Sequence, residues 1–356
     1  MQSPKENLLS TLKRRGFDYV PIDPNAFSPS QLEAFKKRFG HDDYYYFFNS
    51  PVRMISSSFE QNFTAWQEKY YRYETLPKNV SFDAFGVGHS KQPDCFHMTR
   101  MHHPLKGDDI SKKDIEDYPI PELNKTSLES AQKKIENLHN NGLAAMFCMA
   151  CTIWEKSWYI RSMEDLMTDM MTDDSRAECL LDRITDFSIK QGKAAAMIGS
   201  DIIQLGDDIG MQSTIMMSIE LWRKWLKPRL ARVICEIRKV KPDTLIFYHS
   251  CGYVLPFLEE FAEIGIDILN PVQPESMDFE EVHKKIGNKM SFWGTIGTQS
   301  VLPFGKPEDV RKQVIRNLEI CGDKGGIVIG PTHMVEPEVP WENLLAMKEA
   351  VESYGK

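Results

Sequence analysis

The chain has 356 residues, a formal net charge of −8 and 42% hydrophobic residues. That length suits one α/β barrel or two modest domains, and it can bury a core without disulfides or a structural metal. The acidic balance disfavours a nucleic-acid partner, and no apolar run reaches membrane-spanning length.

Seven cysteines (95, 148, 151, 179, 235, 251 and 321) lack the paired spacing of secreted scaffolds and read as reduced thiols. A soluble cytoplasmic protein is expected, and a homo-oligomer is compatible with this composition. Cys148 and Cys151 form a C-x-x-C, but on a strand that spacing points them to opposite faces, which argues against a redox pair.

The N-terminus reads as a helix start, with Ser3 as cap, Pro4 in the first turn and Glu6 completing a capping box. Asp18–Asp23 supplies a first strand. Residues 24–80 are aromatic and polar and fit a regular pattern poorly. They read as an insertion or cap over a barrel mouth, inside a single domain spanning 1–356. Ser81–Val87 is the expected second strand, and 103–124 a surface connection.

From about 144 the chain alternates short apolar strands with amphipathic helices. The strands are Ala144–Cys151, Asp201–Asp208, Thr244–Cys251, Asp267–Gln273, Met290–Gly297 and Gly326–His333. Helices fall near 162–172, 176–199, 217–240, 253–264, 278–286, 306–322 and 340–354. Eight strands with helical crossovers predict a (β/α)8 TIM barrel with an N-terminal helical and aromatic extension over its mouth. The rival doubly wound sheet loses weight because no G-x-G-x-x-G follows a strand.

In such a barrel chemistry sits at the carboxyl ends of the strands. Those ends carry Cys151 and Glu155, then Asp207 and Asp208, then His249 and Cys251, then Asn270 and Gln273. Trp293, Thr295 and Thr298 follow, and Thr332 and His333 close the series. His89, His97, Arg100, His102 and His103 lie near the expected second strand. Side chains two apart on a strand share a face, so His249 and Cys251 can offer two of zinc's four positions. His333 is the natural third ligand. The fourth position is left to water, substrate or a carboxylate such as Glu155, Asp207 or Asp208. For an isolated His-x-Cys, a buried thiol beside a backbone-bonded histidine is the ordinary alternative.

Tyr248-His-Ser-Cys-Gly, Asp267-Ile-Leu-Asn-Pro-Val-Gln, Trp293-Gly-Thr-Ile-Gly-Thr-Gln with Leu302-Pro-Phe-Gly, and Pro331-Thr-His-Met through Pro340-Trp-Glu-Asn-Leu together resemble the uroporphyrinogen decarboxylase superfamily. The likeness is good over about 125–354 and loose before it. True uroporphyrinogen decarboxylases use no metal and grip substrate carboxylates with an N-terminal Arg-Gln-Ala-Gly-Arg segment. The corresponding region here, around Tyr19-Val-Pro-Ile-Asp-Pro-Asn, lacks it.

The cobalamin-dependent methyltransferase branch shares the His-x-Cys-Gly motif. There zinc is held by that His, that Cys and a second Cys after the last strand. Carried over, these positions are His249, Cys251 and His333, so the third ligand here is histidine. A His-Cys-His set leaves the zinc site about one unit positive, which strengthens the Lewis acid and makes a bound thiolate less nucleophilic. That weakens the case for methylating a thiol such as coenzyme M. It favours zinc polarising an ether or hydroxyl oxygen whose methyl departs to Co(I).

The resemblance thus implies a zinc-dependent methyltransferase moving a methyl group between a small substrate and the cobalt of a corrinoid. The corrinoid is free or held by a partner protein, since the chain has no Asp-x-His-x-x-Gly of its own. Glu155, Asp207 and Asp208 are the expected acid–base residues, and His97, Arg100, Asn270, Gln273 and Trp293 the expected substrate contacts. The competing reading is a metal-independent decarboxylase or lyase on a smaller carboxylic acid, anchored by Arg100, Arg161, His102 and His103. A non-catalytic corrinoid or small-molecule binder is the third.

Overall fold

The computed structural model describes residues 2–60, 67–72, 76–92 and 99–354. Seven parallel strands form one sheet in chain order: β1 (Val52–Ile55), β2 (Ala144–Ala150), β3 (Ile202–Gly206), β4 (Leu245–His249), β5 (Ile268–Asn270), β6 (Ser291–Trp293) and β7 (Ile327–Val328). Ile22 bridges in parallel to Ile329, just past β7. The Asp23 N–H donates to the Ile329 carbonyl (2.9 Å), and the Ile329 N–H to that of Pro21 (3.1 Å). This segment is the eighth stave of a (β/α)8 barrel.

The second stave departs from expectation. Ser81–Phe82 is outside the barrel, paired antiparallel with Gly88–Lys91, which pairs in turn with Thr99–His102. The barrel instead uses Val52–Ile55, in register with Ala144–Phe147. Four residues interrupted by Arg53 carry almost no periodic signal, and the pairing to β2 makes the strand. The guanidinium of Arg53 donates to the Ser50 and Val52 carbonyls, both at 2.9 Å.

Alternation along the strands builds the interior. Val52, Ala144, Met146, Ile202, Leu245, Phe247, Ile268, Trp293 and Val328 form one buried cluster. Leu8 and Leu12 of helix α1 (Pro4–Leu12) join it. The helix begins with the expected capping box, the Glu6 N–H donating to Ser3 Oγ (3.3 Å) and the Ser3 N–H to Glu6 Oε2 (2.8 Å). Lys5 reaches Asp201, and Ser291 Oγ donates to the Leu12 carbonyl (2.7 Å); both partners start strands. The N-terminal helix therefore plugs the amino end of the barrel, opposite the mouth. Burying each leucine is worth about 1.5–3 kcal/mol.

Residues 24–80 contain part of the barrel itself. Helix α2 (Pro29–Phe39) has Ser28 as its cap, and Gly40 ends it at φ 77°. Phe27, Phe35 and Phe39 pack against Trp341 with ring centroids 5.6–5.7 Å apart. Trp341 opens the C-terminal helix Trp341–Ser353, so these aromatics form a local core between barrel helices. The long excursion lies between β1 and helix Lys125–Asn140, and it leaves from the carboxyl end of β1. Among the described residues no helix is long and apolar enough to cross a membrane.

Candidate metal centre

β4 is buried through Tyr248 and ends at half-buried His249. The chain then turns at Gly252, whose φ is 81°. A Cβ there would lie 2.5 Å from the Met211 carbonyl oxygen, so the close pass of the two loops requires glycine. On β3, Gly206 makes room for the histidine; a Cβ there would sit 2.8 Å from His249 Cβ.

The turn brings Cys251 Sγ to 3.5 Å from His249 Nε2. His249 Nδ1 lies 2.6 Å from Asn270 Oδ1 at the end of β5, and Asn270 Nδ2 donates to the Trp293 carbonyl (2.8 Å). That second bond fixes which end of the amide faces the histidine. An acceptor opposite Nδ1 places the ring hydrogen there, leaving the Nε2 lone pair toward Cys251.

Asp208 completes the group. Its Oδ1 accepts the Cys251 N–H (2.8 Å) and lies 3.8 Å from His249 Nε2. The ligand atoms of Asp208, His249 and Cys251 lie within 4.8 Å of one another. A converging nitrogen, sulfur and carboxylate oxygen are a donor set that fits zinc. Burial, then the charges of Asp208 and Glu155, push the Cys251 thiol far above its ordinary pKa. Without a dication the sulfur keeps its proton; a dication supplies the charge that lets it bind as thiolate.

His333 stands in the turn after β7, its ring centroid 6.3 Å from that of His249 and its plane tilted by 53°. Asp208 is the third member of the tight set, which does not include His333. The neighbouring Thr332 is buried, its Oγ1 accepting the Thr298 N–H (3.2 Å).

The other expected site residues divide by what they touch. Asp207 is 3% exposed, and its carboxylate accepts the N–H groups of Ile153 (3.0 Å) and Glu155 (2.9 Å) at the start of helix α3 (Trp154–Arg161). Burial raises it to about 7 while those backbone donors pull it down. Its oxygens anchor a helix N-terminus and do not point free into the mouth. Glu155 Oε1 accepts the Tyr159 hydroxyl (2.9 Å), and Oε2 the Asp208 N–H (3.1 Å). Burial first, then Asp208 and Asp207, raises Glu155 to about 8, so in the metal-free protein it holds a proton at neutral pH.

Asn270 uses both halves of its amide within the protein and orients His249. Gln273 Oε1 accepts the Gly252 N–H, holding the turn that presents Cys251. Trp293 Nε1 donates to buried Asp23 (2.9 Å) inside the barrel. Arg100 is exposed on the small antiparallel sheet. His97 lies outside the described residues. Arg161, an anchor of the decarboxylase reading, is 1% exposed and donates to Asp169 (3.0 Å) and to the carbonyls of Leu105 and Gly107. His102 is buried against Ser90, and His103 Nδ1 faces the Tyr159 carbonyl (2.8 Å).

Comparison with known proteins bears on the family and the fold. A methylated-thiol–coenzyme M methyltransferase of Methanosarcina mazei is 29% identical over 196 residues, covering 54% of this chain and 48% of that protein. A uroporphyrinogen decarboxylase of Coxiella burnetii is 24% identical over 179 residues, covering 49% and 47%. The chain thus spans about half the length of these two curated relatives. A uroporphyrinogen decarboxylase of Pseudomonas syringae pv. tomato is 25% identical over 246 residues, 67% of either chain. A solved methyltransferase from Methanosarcina mazei aligns over 100% of both chains with a TM-score of 0.71 at 18% identity, which shows the shared barrel fold. The family model described as uroporphyrinogen decarboxylase (URO-D) matches residues 98–354, and the chain belongs to that family.

Proposed function

We propose that this protein is a zinc-dependent methyltransferase moving a methyl group between a small substrate and the cobalt of a corrinoid, free or carried by a partner protein. The observation that carries the reading is His249 Nε2 facing Cys251 Sγ at 3.5 Å with Nδ1 engaged by Asn270. The likeness to a relative named a methylated-thiol–coenzyme M methyltransferase supports the reaction class.

His249, Cys251 and His333 would hold the metal, with Asp208 beside the remaining position. When bound, zinc acts as a Lewis acid on the methyl donor or acceptor. Asn270 keeps the Nε2 lone pair on the metal side throughout. Glu155 holds a proton between the Tyr159 hydroxyl and the Asp208 backbone, where it can be passed to or taken from the reacting heteroatom. With histidine as the third ligand and Asp208 outside the ligand set, the site is about one unit more positive than a His-Cys-Cys set, which favours an oxygen-bound methyl donor over a thiol acceptor; Asp208 as a ligand would cancel that charge.

Metal content of the purified protein by mass spectrometry tests this, with Cys251→Ala, His333→Ala and Asp208→Asn alongside. Near-stoichiometric zinc lost in the first two supports the His-Cys-His set. Zinc kept in His333→Ala but lost in Asp208→Asn moves the third position to Asp208. A wild type without zinc, purified without chelator, rejects the mechanism. Spectroscopic assay of methyl transfer to Co(I) cobalamin then tests the reaction itself.

A further inference from the structure

Gln204 on β3 is a polar side chain that neither the metal centre nor the fold uses. Its ladder partners are Cys148 on β2 and Phe247 on β4. Side chains two apart on a strand share a face, so Gln204 points into the barrel with Ile202 and Gly206. Ile202 and Phe247 belong to the apolar interior cluster, and His249 packs against Gly206. Gln204 therefore stands on the apolar interior, one inward position deeper than the glycine that seats the histidine.

The residue is 9% exposed. Its Oε1 is closed off and makes no hydrogen bond, and among the described residues Nε2 donates to none. The exposure thus belongs to the rest of the side chain. Leu8 and Leu12 plug the amino end of the barrel, so an inward residue opens only toward the mouth. Gly206 has no side chain to cover Gln204, and its partner Ala150 is exposed. A cavity of about 390 Å³, bordered also by Asp83, Lys156 and Tyr159, reaches Ala150 and Cys148. The mouth descends beside His249 to the level of Gln204. A buried amide with both ends unpaired is costly, and folded proteins satisfy nearly all such groups.

We propose that Gln204 is a specificity-determining residue at the floor of the mouth, donating from Nε2 to an uncharged hydroxyl, ether or carbonyl oxygen of the substrate. That oxygen lies on the part of the molecule turned away from the metal. An amide brings no charge to balance a carboxylate, so its partner is neutral. Simple methyl sulfides and methylamines offer no such oxygen and leave the donor unpaired, the asymmetry by which one buried polar group rejects an analogue. The role toward a substrate rests on the methyltransferase reading, whereas the reachable donor does not.

The test is nuclear magnetic resonance of protein carrying isotope-labelled glutamine, with dimethyl sulfoxide and dimethyl sulfide as probes. They share their methyl groups and differ by the acceptor oxygen. The Gln204 side-chain N–H signals are identified by their loss in Gln204→Met, or in Gln204→Leu if that variant does not fold. The sulfoxide should shift them saturably in wild type and in Cys251→Ala, and the sulfide should not. Gln204→Met removes an unpaired amide, so the Tm of the metal-free protein should rise; an amide bonded within the fold through ordered water would make it fall. Where the wild type transfers methyl to Co(I) cobalamin, Gln204→Met should cost about 10- to 100-fold in kcat/KM for ethylene glycol monomethyl ether relative to dimethyl sulfide. A wild type without zinc or methyl transfer sinks the reading of the reaction and leaves the probe experiment to decide on the donor. A shift by both probes or by neither, a lowered Tm, or equal losses for ether and sulfide overturns the proposal.

Discussion

Asn270→Leu removes no metal ligand and keeps the branched shape of a buried side chain while deleting its polar atoms, so it isolates the orientation of His249. Two contacts go: the 2.6 Å bond to His249 Nδ1 and the 2.8 Å bond to the Trp293 carbonyl. Freed from its acceptor, the imidazole can rotate or move its hydrogen to Nε2, and only one tautomer can bind metal. Loss of such an outer contact lowers metal affinity about 10–100-fold, or about 1.4–2.7 kcal/mol. The orphaned Trp293 carbonyl costs a further ~1–3 kcal/mol of fold stability. Competition against a chromophoric zinc chelator at fixed pH measures the first, and thermal unfolding of the chelator-treated protein the second. Wild-type zinc affinity alongside a lowered Tm would refute the orienting role and leave Asn270 as scaffold. Affinity lost as completely as in Cys251→Ala would refute it differently, making Asn270 a ligand.

Gly206→Ala forces its methyl against His249 Cβ, so zinc content should fall although no donor atom changes; full zinc would show that the strands can part to accommodate it. Asp207→Ala strips the acceptor from the first turn of α3 and should cost about 1–3 kcal/mol of stability while zinc is kept; a stable variant without zinc would return Asp207 to the metal. Leu12→Ala should cost about 2–5 kcal/mol through the cavity it leaves under the barrel, read by chemical denaturation. In the metal-free protein, native Glu155 binds a proton that the unfolded chain gives up above about pH 4.5. Stability should therefore fall as pH rises from there toward about 8, with Asp207 adding in the same direction. A Tm in chelator that is flat or rising across that window contradicts the burial of these acids.

Wherever local pattern and tertiary role coincide, the structure was legible in the residues. Ser3-Pro4 and Glu6 form their capping box because every participant is within four residues. From Ala144 onward, each apolar run flanked by helical periodicity is a parallel stave, since a strand buried on both faces needs a continuous apolar run. His249 and Cys251 meet by another route than strand alternation: β4 ends at His249, and the turn at Gly252 brings the thiol to the ring.

Distance in the chain hid the rest. Val52–Ile55 is a strand only because Ala144–Phe147 lies beside it, and Leu8 and Leu12 plug the barrel only because eight staves leave a hole of that size. The polarity of Asn270, Gln273 and Asp207 was visible, but not its direction. Each turns toward a backbone or side-chain partner 21 to 54 residues away, which makes them supports for the metal centre. Lys156 offered no signal at all. Its ammonium ends 5.0 Å from the ring centroids of both Phe85 and Phe187, which come from separate segments, and only the packed molecule decides which groups surround a buried charge.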